Sequence, residues 1–278
     1  MHPQAFFLPV EGGQRFCIFY PAQGPKTRGR VLYAHPFAEE MNKSRRMVAL
    51  QARHLSEAGF SVLQLDLQGC GDSSGDFGDA TWQGWRDDLL HASDWLRAQA
   101  GDAALWLWGL RAGCLLAAQA AQQIAEPCQF LFWAPAVAGK PLLQQFLRLK
   151  AAGEMMGGNA KGVMDGLRQQ LAQGQPVEVA GYTLAPGLTD GLEKAVLAPP
   201  SAPQAPGRVE WFELSTRADA AFSPAVTRAQ EPWQQAGFAL RSHLVEGPSF
   251  WQTTEIEDAP ALVAATTAAL APIGATTP

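Results

Sequence analysis

Apolar and polar positions alternate along this chain between short, nearly all-apolar runs and stretches with helical spacing. FFLPV and RFCIFY, within residues 6–20, flank Glu11-Gly12-Gly13 and predict a β-hairpin at a sheet edge. VLYAHPF (31–37) has almost no polar break, as a strand covered on both faces requires. Over 44–58, apolar residues recur at Met47, Leu50, His54 or Leu55, and Ala58, which predicts a helix stopped by Gly59. FSVLQLDLQG (60–69) predicts a strand running into a glycine- and aspartate-rich loop. Thr81 then caps a helix carrying Trp82, Trp85, Leu89 and Leu96 on one stripe. A further strand is predicted over 129–136.

After residue 139 this rhythm breaks. Helices over 142–150 and 163–173 flank a loop containing Met155 and Met156. A short strand pair, another helix and the proline-rich stretch 198–207 follow. The alternation then resumes with a strand (209–214), a helix (224–236), a strand (238–245) and an alanine-rich helix (257–270), before a tail expected to fray. Strands alternating with helices across short loops predict an α/β fold with a mainly parallel central sheet covered by helices on both faces. The division that follows is a core domain of residues 1–139 and 201–278 with residues 140–200 as an inserted cap or lid.

One junction organises the rest. In LWLWGLRAGCLLAA (105–118) a buried-type strand meets a helix-forming run at Gly109-Leu110-Arg111-Ala112-Gly113. Gly-x-Xaa-x-Gly at a strand-to-helix turn is the nucleophile elbow of the α/β-hydrolase fold, whose triad runs nucleophile, acid, base along the chain. The nucleophile place holds Arg111, a guanidinium that stays protonated and cannot attack a carbonyl. The acid place follows the strand VEWFEL, where Asp219 fits; the competing reading is a solvated loop carboxylate or a cap for the helix near Pro224. The base place follows the last strand, where Ser249 stands and no histidine does. His243 lies inside that strand and is expected to be structural. With nucleophile and base both absent, Ser-His-Asp hydrolysis is not expected.

Two other features could carry chemistry. Cys70 is an alternative nucleophile, with His35 as a possible base, if nearby positive charge lowers its pKa; an inert loop cysteine is the simpler reading. The segment HPFAEEMNKSRR (35–46) lies where this fold supplies an oxyanion-hole amide, and it is read as a charged loop. Glu39 or Glu40 over Arg111 suggests a salt bridge, with Glu246 or Glu255 on the last loop as alternative partners. The candidate ligand-binding residues are therefore His35, Phe37, Glu39 and Glu40 on the first loop, Arg111 and Ala112 on the elbow, and Trp251 and Glu255 on the last loop.

Composition narrows the partners. A net charge of −5 gives no reason to expect nucleic acid or an anionic membrane. The four cysteines lack CxxC spacing, so neither a metal site nor a disulfide framework is suggested, and no cofactor is expected. The N-terminus lacks the basic and apolar regions of a signal peptide, and no apolar run approaches the ~20 residues of a membrane-spanning helix. A cytoplasmic protein without membrane insertion is expected.

HPFAEEMNKSRR, DLQGCGDSSGDFGDATWQGW, LWGLRAGCLLAA, WAPAVAGKPLLQQFLRLK and GPSFWQTTEIEDAP together resemble the exosortase A system-associated hydrolase 2 group of the α/β-hydrolase superfamily, over roughly residues 5–270. The resemblance implies a bacterial cytoplasmic protein encoded near exopolysaccharide and PEP-CTERM sorting genes, without naming a substrate. Asp219 matches the superfamily's acid place; Arg111 and Ser249 depart from the nucleophile and base places. Three functions follow as expectations: a pseudoenzyme that binds a small anionic or acyl-type ligand or a partner, an active ester or thioester hydrolase or acyltransferase using Cys70 and His35, and a structural partner of a companion hydrolase. An anion is favoured by a fixed cation at a helix start, where free amides already point outward.

Overall fold

The computed structural model describes residues 2–153, 160–201, 205–217 and 219–271. An eight-stranded sheet runs through the molecule in the order β1-β2-β4-β3-β5-β6-β9-β10. The strands are β1 (Gln4–Val10), β2 (Gly13–Tyr20), β3 (Gly29–Ala34), β4 (Phe60–Leu65), β5 (Leu105–Leu110), β6 (Cys128–Trp133), β9 (Arg208–Ser215) and β10 (Ala239–Glu246). β1 and β2 form the edge hairpin, and β2 joins β4 antiparallel; from β4 to β10 every pairing is parallel. A parallel strand is buried on both faces, and β3 and β5 are buried at every position.

Alternation along these strands feeds two cores. Val31, Val62, Trp106, Trp108, Leu131 and Phe212 pack with helices α1 (Glu39–Glu57) and α8 (Pro260–Ala269). Leu32, Leu63, Leu107 and Phe130 pack on the other face with α2 (Trp82–Ala100), α3 (Ala112–Ala120) and Trp233 of α7 (Pro224–Gln235). This is the α/β-hydrolase fold: a mostly parallel central sheet between helical layers. Between β6 and β9 lie α4 (Gly139–Gly153), α5 (Ala160–Ala172), the hairpin β7 (Val177–Val179) and β8 (Tyr182–Leu184), and α6 (Pro186–Lys194). α4 contacts α3, α5 and α6, while α6 packs on α2, where a Cβ at Gly191 would strike the Trp82 side chain.

Thr81 caps α2 as its position suggests, its hydroxyl accepting from the Gly84 amide at 2.9 Å. The segment 35–46, expected as a charged loop, is mostly helix: α1 begins at Glu39, five residues before the periodic pattern does. The turn into it is made at Ala38, whose φ of 51° ends the extended chain abruptly, so Glu39 and Glu40 occupy the first helical turn. The last helix starts at Pro260, because the rigid ring suits a first turn, and residues 256–259 before it are not helical. Met155 and Met156, part of the proline-rich stretch and nearly all of the tail lie outside the described residues. Among the described residues no helix is long and apolar enough to cross a membrane.

Candidate functional site

The elbow is built by sterics. Arg111 adopts φ 55°, ψ −116°, a conformation that a side chain with a Cβ rarely takes. Its amide donates to the Trp133 carbonyl at 3.1 Å, and its carbonyl accepts from Ala136 at 3.2 Å, so β6 and the loop after it clamp the turn. The flanking residues must be glycine for want of space. A Cβ on Gly113 would overlap the Ala34 carbonyl oxygen, and one on Gly109 would lie 2.5 Å from the Cys114 backbone. The strained residue is thus thrust up at the carboxyl end of β5, where α3 begins with Ala112.

The Arg111 side chain is anchored on two sides. Its Nε lies 3.4 Å from Glu40 Oε1, and its guanidinium carbon sits 5.6 Å from the centre of the Trp251 ring. Among the described residues, no acceptor meets Nη1 or Nη2. The pair forms with Glu40 of α1; Glu246 and Glu255 are exposed and take no part. Burial drives the Glu40 carboxyl up from 4.5 to about 7, against the pull of Arg111. Its Oε2 is sealed from solvent without a donor, as is Oε2 of Glu39. Burial also raises Glu39, opposed by its own amide and by Lys43.

A cleft of about 440 Å³ opens over the elbow. Arg111, Glu213, Gln145, Ser249 and Gln252 supply its polar lining, and Pro135, Val137, Leu142, Leu214 and Val226 much of its apolar wall. A smaller cavity beside it, lined by Phe37, Glu39, Glu40 and Phe146, shares Leu142, Gln145 and Gln252 with the cleft. α4 therefore roofs the elbow with Leu142, Gln145 and Phe146. Glu213, at the end of β9, accepts from Trp211 Nε1 at 2.9 Å; burial raises its carboxyl, with Arg111 pulling the other way.

The structure gathers some of the expected residues and disperses others. Arg111, Ser249 and Trp251 line one cleft, and Phe37, Glu39 and Glu40 border the next. Asp219 is not among them. It is exposed and paired with its neighbour Arg217 at 2.9 and 3.1 Å, which holds its carboxyl below the usual range. The carboxylate that β9 brings to the cleft is instead Glu213, the second of the two acids in the strand VEWFEL. Gln145 and Gln252 left no signal in the sequence.

The Cys70–His35 pair is not assembled for chemistry. Cys70 is buried, and that burial, reinforced by Asp66 and Asp88, drives its thiol far up, away from thiolate. Both nitrogens of His35 are engaged, Nδ1 with the Pro36 carbonyl at 2.7 Å and Nε2 with the Leu67 amide at 3.2 Å, and burial lowers its pKa. It is a neutral core histidine. His243 stacks on Phe212 at 4.3 Å and binds Glu210 at 2.7 Å, away from the elbow.

The family model described as serine aminopeptidase, S33 (Hydrolase_4) matches residues 25–181, more than half of the chain. The chain belongs to that family. It is similar to the human protein ABHD12B, 32% identical over 143 residues, which cover 45% of this chain and 38% of that one. It is also similar to lysophosphatidylserine lipase ABHD12 of Xenopus tropicalis, 30% identical over 34% of this chain and 24% of the relative. The chain thus spans well under half the length of these relatives. Among solved structures, Est1E from Butyrivibrio proteoclasticus with ferulic acid bound aligns over 96% of this chain and 98% of its own, with TM-score 0.66 and 15% identity, which speaks to the fold.

Proposed function

We propose that this protein is a non-hydrolytic member of its family that binds a small anion-bearing ligand above the elbow. One observation carries the reading. The strained elbow backbone is kept at Arg111, and it holds a guanidinium whose Nη1 and Nη2 meet no acceptor among the described residues, in a cleft of about 440 Å³. A carboxylate or phosphate is the natural partner of such a fork, and the free amides of the first turn of α3 add to the attraction. Ester cleavage would need a nucleophile and a base. Arg111 cannot be the first, Ser249 cannot be the second, and Cys70 and His35 are sealed in the core. The segments quoted above support placing the chain in the exosortase A system-associated group, with α4–α6 and β7–β8 acting as its cap.

The test is thermal-shift screening against short carboxylates, inorganic phosphate and sugar phosphates, with p-nitrophenyl esters as turnover probes. Stabilisation by an anion, lost in Arg111→Ala, without ester turnover is the expected result. Stabilisation unchanged in the variant, or turnover abolished by Arg111→Ala, would refute the proposal.

A further inference from the structure

The same cleft holds a second, opposite charge. Glu213 and Arg111 are the only charged residues among those described that line it, yet they form no ion pair within 4 Å. Each is fixed by other neighbours. Arg111 is drawn toward Glu40 and lies over Trp251, while one Glu213 oxygen is taken by Trp211 Nε1. The other oxygen of Glu213 meets no donor among the described residues and is not sealed from the cleft. Two opposite charges in one cavity usually collapse onto each other unless the surrounding side chains prevent it, since attraction strengthens as the dielectric falls. Here the side chains do prevent it, and each charge keeps unused hydrogen-bonding capacity.

Resting on the anion-site reading above, we infer that the ligand is a zwitterion, with an acidic group on Arg111, a primary ammonium on Glu213 and a short spacer between them. Arg111 offers a planar two-nitrogen fork, which suits a carboxylate or a phosphate ester. Glu213 offers an acceptor in a half-buried setting, where a plain anion would be repelled and a neutral chain would leave the carboxylate without a partner. Leu214, Val226 and Pro135 give the cavity apolar wall against which methylene groups can lie. A purely anionic ligand satisfies half of this lining, and a simple amine the other half.

The experiment is calorimetric titration of the full chain with ω-amino acids from glycine to 6-aminohexanoate, each paired with the carboxylate and the amine of the same length. At least one amino acid is expected to bind about tenfold or more tightly than its matching carboxylate, the gain of one added charge-assisted hydrogen bond. Glu213→Gln keeps an acceptor for Trp211 and is expected to reduce that amino acid to the affinity of its carboxylate. Carboxylates that bind through Arg111 as tightly as every amino acid would overturn the zwitterion while leaving the anion site standing. Amines binding as well as amino acids, with Arg111→Ala indifferent, or no binding by any of the three sets, would overturn both. The comparison within the wild-type protein decides the matter even if Glu213→Gln does not fold.

Discussion

Glu40→Gln should make the protein more stable at alkaline pH while changing it little in acid. Glu40 is 9% exposed, its Oε2 has no donor, and burial raises its pKa from 4.5 to about 7. The folded state therefore holds the proton more tightly than the unfolded chain does. Stability from this group is fully present below pH ~4.5, is lost as pH rises through about 7, and is level beyond it. At ~1.4 kcal/mol per pH unit, that span corresponds to ~3 kcal/mol, an upper figure because Glu40 borders a cavity on one side. Glutamine keeps an oxygen for the Arg111 Nε and removes the charge. Urea unfolding of both proteins at half-unit steps from pH 4 to 9 gives a difference curve in which groups shared by the two, Glu213 and Asp88 included, largely cancel. The curve should be flat in acid, climb in favour of the glutamine variant between pH ~4.5 and 7, and level off near 2–3 kcal/mol. A flat difference, or a variant that loses ground above pH 7, would show that the ion pair with Arg111 outweighs desolvation and would refute the reasoning.

Other consequences are as direct. All four cysteines are buried and unpaired, so a thiol reagent should label none in the native protein and all four in denaturant; rapid native labelling at Cys70 would restore it as a nucleophile candidate. Gly113→Ala should cost several kcal/mol or prevent folding, because the added Cβ meets backbone at Ala34 that cannot yield, and a thermal melt within 2 °C of wild type would contradict it. Glu210 is fully buried and accepts from Arg208, Arg241 and His243; burial pushes its carboxyl up, but these three outweigh it and hold it low. Its stabilisation is present above the ordinary carboxylate range and is lost as pH falls, and Glu210→Ala should cost roughly 3 kcal/mol near neutrality in chemical unfolding.

Much of this molecule was written in local pattern. All-apolar runs marked the parallel strands because a strand covered on both faces tolerates few polar side chains, and the glycines at 109 and 113 marked the elbow because nothing larger fits. The identity of Arg111 alone rules out a nucleophile at the elbow position, since no fold lowers a guanidinium to a useful pKa. Tertiary structure decided what Arg111 touches. Glu40 became its partner because Ala38 starts α1 early and turns that carboxylate over the elbow, a backbone choice with no periodic signature. Asp219 and Glu213 are six positions apart, and position along the chain favoured Asp219, in the loop after the strand. Only the end of β9, and the pairing of Asp219 with Arg217, placed Glu213 at the cleft and Asp219 in solvent. The same holds for Cys70 and His35, both closed off by core packing. Pattern reports which face a residue takes on its own element, whereas a site is the meeting of several elements at one end of a sheet.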